Sequence, residues 1–286
     1  TLRQAMYTAW FIGEPLNGAS ITVASAEGGA IELNVDVTSL DRGVAEASTF
    51  FGDIPSRAAT VRGPRPLHKF TEAGIFVATT TAKDKSSGEE RGKARKTLVV
   101  SSREIGASDA LPAPPDAAIV FQSIKGKFLF SSDKPDQVSF SGDVKLPAGF
   151  NVKRADGHSL SMGLGNVVDT LTIDSKGKGI VPSTLQLIQK AKVKYPRIAD
   201  GTGVTSGGEI AKIQIVFKTA DMEIKGFDTE GIAAEVRSDE AGLKAVPRDI
   251  QVQLLVSGVA YETSARVEFK LGSKKDSGVI QGRAAR

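Results

Sequence analysis

The chain has 286 residues, is 40% hydrophobic and 24% charged, and carries 37 Lys and Arg against 33 Asp and Glu for a net charge of +4. That composition suits folded modules rather than a disordered chain or a membrane-spanning helix, and the length exceeds what one sandwich needs, predicting two or three modules. Cysteine is absent and His68 and His158 are the only histidines, which excludes a disulfide scaffold, a zinc finger, an iron–sulfur centre, a cysteine nucleophile and a multi-histidine metal site.

The chain starts at Thr1 with no basic, apolar, small-residue leader pattern, so no targeting segment is expected within it. Its first residues include the run Ala5-Met6-Tyr7-Thr8-Ala9-Trp10-Phe11-Ile12, which holds the single tryptophan. A free apolar strand is costly in water and prone to aggregate. The segment therefore packs on its own domain or is added to the sheet edge of a neighbouring subunit, and Tyr7, Trp10, Phe11 and Ile12 are candidate partner-binding residues.

Beyond it, apolar and polar residues alternate with a period of two in short runs bounded by Gly, Pro, Asp, Asn and Ser, as in Ile31/Leu33/Val35/Val37 and Ile75/Val77. This period predicts half-buried antiparallel strands. Ala73-Gly74 supplies a turn, and residues 84–88 reverse the chain into Thr97-Leu98-Val99-Val100. Lys83, Lys85, Arg91, Lys93, Arg95 and Lys96 are interrupted by Asp84, Glu89 and Glu90, the pattern of a solvated hairpin.

The stretch Thr49-Phe50-Phe51-Gly52-Asp53, followed by His68-Lys69-Phe70 and Ala73-Gly74 and by an alternating strand that ends at Asp84, resembles a polycystic-kidney-disease-type (PKD) repeat. Phe50 stands where that family has Trp and Ile54 where it has a second Gly, so a different turn after Asp53 is expected. The resemblance implies an Ig-like β-sandwich of the kind found on cell surfaces and in secreted proteins as a spacer or binding module. His68 is expected to pack or turn rather than to catalyse.

Gly106, Ala107, Ser108, Pro112, Pro114 and Pro115 interrupt the alternation. Proline lacks a backbone donor and favours extended geometry, so residues 105–118 are expected to form a semi-rigid linker between a module at 1–104 and a larger part at 119–286. In that part, strands are predicted at Phe128/Phe130, Val138/Phe140, Leu160/Met162/Leu164, Leu171/Ile173, Ile213/Ile215/Phe217, Ile250/Val252/Leu254/Val256 and Val267/Phe269/Leu271. Residues 183–192 fit either a short helix or a strand. Lys127 to Phe130 with Val138 and Phe140 resembles Lys212 to Ile215 with Met222 and Ile224, and the run from Gly165 resembles the run from Gly258. Two similar β units, at about 119–200 and 209–286, are the simplest physical account, since each alone has few strands with which to bury an apolar face. Asp174-Ser175-Lys176-Gly177-Lys178-Gly179 resembles the hairpins of repeated β modules in bacterial surface proteins. The expected fold class is all-β: an N-terminal Ig-like, PKD-like sandwich followed by two duplicated antiparallel β-sandwich or barrel units.

Lys190, Lys192 and Lys194 are spaced by two, which puts their ammonium groups on one face of a strand, and Tyr195 and Arg197 follow. Lys190, Lys192, Lys194 and Arg197 are therefore candidate polyanion-binding residues, with the wet side of a half-buried strand as the alternative. His158 lies in Ala155-Asp156-Gly157-His158-Ser159, a turn pattern, and no nucleophile elbow accompanies it. Residues 201–208 are glycine-rich but lack the Lys-Ser/Thr ending of a P-loop, and are expected to be a flexible joining loop. Calcium is the one cofactor that the acidic turns at 84–90 and 132–136 offer, though neither has EF-hand spacing. The function expected is that of a non-enzymatic, extracellular or cell-surface structural or adhesive protein that assembles by strand pairing with a protein partner or with itself. The alternative is a carbohydrate- or polyanion-binding β module, with no sequence-specific nucleic-acid contact and no transmembrane segment.

Overall fold

The computed structural model describes residues 19–27, 30–37, 45–52, 60–63, 65–114, 117–129, 135–165, 167–180, 187–219, 246–271 and 277–283. All regular elements among them are strands, so the protein is all-β as its period-two pattern predicts. No helix among the described residues is long and apolar enough to cross a membrane.

The N-terminal module contains β1 (Ala19–Glu27), β2 (Ala30–Val37), β3 (Ala45–Phe50), β4 (Thr60–Arg62), β5 (Leu67–Lys69), β6 (Gly74–Asp84) and β7 (Glu90–Val100). They form a three-stranded sheet, β1-β2-β5, and a four-stranded sheet, β4-β3-β6-β7. Ile31, Phe51, Phe70, Ala78, Leu98 and Val100 form its buried core. The residues that carry the family resemblance meet here: Phe51 stacks on His68 at 4.7 Å, and the Phe70 ring lies edge-on to His68 and stacks on Phe76. Gly52 has φ +83°, and a Cβ there would come within 2.9 Å of the Val77 carbonyl oxygen, so the close approach and the left-handed backbone both require glycine. His68 is thus a packing residue. The hairpin tip between β6 and β7 is exposed, as its mixed charges predict.

The larger part contains β8 (Ile119–Leu129), β9 (Asp136–Lys145), β10 (His158–Leu164), β11 (Val167–Ile173), β12 (Gly179–Ile180), β13 (Ile188–Lys194), β14 (Ile210–Thr219), β15 (Val246–Val256), β16 (Val259–Leu271) and β17 (Ser277–Arg283). Of the two forms open to residues 183–192, the strand is the one found from Ile188 onward. These strands make one ten-stranded antiparallel sheet in the order β12-β11-β10-β15-β16-β17-β8-β9-β14-β13. Its ends nearly close into a barrel at Lys178 and Lys192, where the Val193 amide donates to the Gly177 carbonyl at 2.7 Å. Alternate residues point inward, among them Phe140, Met162, Ile213, Phe217, Val252, Leu254 and Tyr261, and they join one continuous core. The two units expected at 119–200 and 209–286 therefore interleave their strands and share one core.

Around the ring, β8 to β12 and β13 to β17 occupy equivalent places about a pseudo-twofold axis that passes between β10 and β15 on one side and between β9 and β14 on the other. The internal resemblance read from Gly165 and Gly258 falls on equivalent hairpin turns, with Gly165 at the place of Ser257. The resemblance that sets Lys127–Phe130 against Lys212–Ile215 is one strand out of step, because β8 corresponds to β13 and β9 to β14. Bulges confirm this register: one between Phe121 and Ser123 in β8 has its counterpart between Ile188 and Lys190 in β13.

Residues 101–114 pack rather than dangle. Ile105 lies against the N-terminal core and Leu111 against the barrel core, and Glu104 accepts hydrogen bonds from the amide and hydroxyl of Ser101. The two modules touch directly. Thr97 Oγ1 donates to the Gly165 carbonyl at 2.8 Å, and the Ser102 amide donates to the Gly258 carbonyl at 2.9 Å. The outward residues Ser161, Gln253 and Leu255 of β10 and β15 are consequently buried, and Ile75 of β6 lies over Gly163.

Candidate functional site

The outer surface of β8-β9-β14-β13, on the opposite pole of the axis, bears the strongest functional signature among the described residues. Cross-strand register sets its side chains in successive rungs. Lys127, Gln137 and Lys218 form one. Next come Lys125, Ser139, Val216 and Lys190, then Ser123, Ser141, Gln214 and Lys192. The last rung holds Val120, Asp143, Lys212 and Lys194. The lysines are exposed, and the serines are half-buried between them. Two adjoining hollows of about 550 and 240 Å³ follow this face, and Lys125 and Ser139 line both.

The bulge positions equate Lys125 with Lys192 and Lys127 with Lys194 across the pseudo-twofold, so the outer strands β8 and β13 form two lysine walls of the same pattern. Three strand spacings, about 14 Å in all, separate their backbones. Between the walls the central strands contribute Ser139, Ser141 and Gln214, whose side chains have no hydrogen-bond partner among the described residues. None of Lys125, Lys127, Lys190, Lys192, Lys194, Lys212 and Lys218 is in an ion pair among the described residues. Some cations elsewhere are paired, among them Arg266 with Asp249 at 3.0 Å and Lys270 with Glu268 at 3.1 Å on β15 and β16. Asp143, the acidic residue of the face, accepts a hydrogen bond from Gln122 and stands opposite Lys212. Lys194 stands directly opposite Lys212, a like-charge pairing that costs up to about 1 kcal/mol in a sheet.

Of the residues singled out from sequence, Lys190, Lys192 and Lys194 lie on this face, pointing outward as their spacing predicts. Arg197 is exposed but lies past the end of β13 and lines neither hollow. Tyr7, Trp10, Phe11 and Ile12 lie outside the described residues. Sequence reasoning missed Lys125, Lys127, Lys212 and Lys218, although Lys125 and Lys127 carry the same spacing of two.

Tyr195 is not available as an exposed platform. Its ring packs beside Phe150 and His158, and burial drives its hydroxyl pKa far above the ordinary value. His158 is the first residue of β10 rather than part of the preceding turn, and it is only 3% exposed. Its Nε2 faces the Asn151 carbonyl at 2.9 Å, which only accepts, so Nε2 carries the proton and Nδ1 accepts from the Ser257 hydroxyl at 3.0 Å. Ser257 has φ +46° in the β15–β16 turn, and neither hollow reaches it. The pair thus fastens the start of β10 to that turn.

The glycine-rich segment 201–208 is tied down instead of swinging free. Thr205 Oγ1 donates to the Pro147 carbonyl and accepts from the Phe150 amide, and the Val152 amide donates to the Gly203 carbonyl. Of the carboxylates considered for calcium, Asp84 accepts from the Ser86 and Ser87 amides and Asp136 from the Leu129 amide, and Asp133 lies outside the described residues. No cluster of metal-ligating side chains occurs among the described residues. In comparisons with known proteins, no family model matches the chain and no curated protein matches its sequence.

Proposed function

We propose that the chain is a non-enzymatic, exported or cell-surface β protein that holds an anionic polymer on the outer face of β8-β9-β14-β13. The observation that carries this reading is the repetition, at equivalent positions on both walls, of lysines that have no ion-pair partner among the described residues. A face that only needed to be soluble would gain from acidic partners, as β15 and β16 have. Here Lys194 stands opposite Lys212 and the remaining lysines stand opposite neutral residues, and a bound polyanion supplies the negative charge that the face lacks. The surface location rests on the PKD resemblance, whose motif residues pack as one aromatic cluster.

Titration with dextran sulfate and with inorganic polyphosphate over a series of salt concentrations tests the reading. Log affinity is expected to fall linearly with log salt, and Lys125→Ala and Lys192→Ala are each expected to lower the slope by about one. Absence of binding at low salt, or a slope that neither substitution changes, would overturn it.

A second reading rests on a separate observation. Among the described residues β1 is an edge strand of its sheet, and residues 1–12 precede it in the chain. Self-assembly by strand addition predicts oligomers in light scattering that vanish when residues 1–12 are removed. A monomer with and without them would refute it.

A further inference from the structure

Resting on the polyanion reading of this face, we propose that the polymer it takes is an acidic polysaccharide, lying between the two lysine walls with its acidic groups on the walls and its neutral groups on the floor. The charge on the face is not uniform. Lys125 and Lys127 stand on one outer strand and Lys190 and Lys192 on the other; the two middle rungs between them carry Ser139, Val216, Ser141 and Gln214 at the centre, with Lys218 and Lys212 on β14 at either end. The serine hydroxyls and the Gln214 amide, unpartnered among the described residues, both donate and accept. The complementary ligand has negative groups at its edges and neutral hydrogen-bonding groups along its middle. A sulfated or uronic-acid glycan has both.

Polyphosphate has charge throughout and only accepts, so it can use the floor's donors and leaves its acceptors unmatched. A single nucleic-acid strand exposes bases that proteins hold by stacking on aromatic rings. Among the described outward side chains of these four strands there is no such ring, and Phe140, which lines one hollow, is only 2% exposed and belongs to the core. Along each outer strand, lysines two residues apart are about 6.8 Å from one another, so one extended chain running parallel to the strands meets both walls repeatedly.

The experiment compares four probes of similar length on the intact chain: dextran sulfate, polygalacturonate, polyphosphate and oligo-dT. The double variant Ser139→Ala with Gln214→Ala is measured beside the parent, and thermal melting verifies the fold of each. One or both glycans are expected to bind tighter than polyphosphate and oligo-dT. The double variant is expected to weaken glycan binding about tenfold, the loss of two neutral hydrogen bonds, to weaken polyphosphate binding less, and to leave the salt slope unchanged. Preference for dextran sulfate identifies a sulfated glycan, and preference for polygalacturonate a carboxylated one. Equal affinity for polyphosphate, or indifference to the floor substitutions, would overturn the glycan assignment and leave the polyanion reading standing. Tighter binding of oligo-dT would overturn it in favour of nucleic acid. Failure of all four probes to bind would overturn the underlying reading itself.

Discussion

The two poles of the barrel are built alike and finished differently. At one, β10 and β15 pair around Met162 and Leu254; at the other, β9 and β14 pair around Phe140 and Ile215, and in both places the inward side chains are buried. The outward side chains differ. Over β10 and β15 they are Ser161, Gly163, Gln253 and Leu255, small or apolar except for Gln253, and the N-terminal module covers them. Over β9 and β14 they are Ser139, Ser141, Gln214 and Lys212, flanked by lysine walls and left open. An antiparallel strand pair on the same axis of one barrel can thus be a docking surface or a wet, charged one. The choice lies entirely in the residues of one parity, since a strand shows alternate side chains to opposite faces.

Placing one substitution at both poles gives the largest expected contrast. Leu255→Lys puts an ammonium group under the N-terminal module, where Leu255 is 3% exposed. It is expected to cost about 3–5 kcal/mol, the usual penalty for an uncompensated buried charge. Val216→Lys adds the same group between Lys190 and Ser139 on the open pole. There the expected change is within about 0.5 kcal/mol, with tighter polyanion binding. Denaturant midpoints for the two variants measure the difference, and equal destabilisation would show that the poles are not distinct environments.

A smaller effect sharpens the description of the covered pole. Thr97 Oγ1 reaches across the module boundary to the carbonyl of Gly165, in the hairpin turn equivalent to the one that accepts the Ser102 amide. Thr97→Val keeps the shape, removes the donor and leaves a buried carbonyl short of a partner. A loss of about 1–2 kcal/mol is expected, and unfolding should remain a single transition if the modules melt together. A stability unchanged by the substitution would mean that apolar contact alone holds the modules.

Much of this contrast was legible in the sequence, and its limits have physical causes. Alternation placed Ile250, Val252, Leu254 and Val256 inward, because a strand with one wet face must alternate. The unbroken run Leu254-Leu255-Val256 marks the place where both faces are buried, a signal that period-two reading passes over. Lys190, Lys192 and Lys194 were legible as one ridge because a strand carries its own geometry. Their partners Lys125 and Lys218 were not, since register between strands distant in sequence is fixed by closure of the ring and by bulges that no local pattern announces. The same blindness put Lys127–Phe130 beside Lys212–Ile215. Both runs alternate, and only the pairing order shows which strand answers to which.

The smallest effect expected is one of pH, and it belongs to the start of β10. His158 lies under Phe150, with ring centroids 4.2 Å apart, and desolvation lowers its pKa below the ordinary value, outweighing the opposing contribution of the Asn151 carbonyl. The folded protein therefore holds the ring neutral at pH values where the unfolded chain, titrating near about 6.5, already takes up a proton. Stability from this source is complete above the unfolded pKa and declines as pH falls from there toward the folded one. Protonation would also place a proton on Nδ1, so that the Ser257 hydroxyl would have to turn from donor to acceptor. Urea unfolding between pH 7.5 and 5 should show stability falling toward the acid end with a slope of at most one proton, and His158→Gln should flatten that slope while lowering stability at neutral pH. A slope unchanged by the substitution would mean that other groups set the acid response. Because His158 lines neither hollow of the lysine face, the same change should leave polyanion binding at neutral pH as it was, and this separates fastening of the barrel from recognition on its open face.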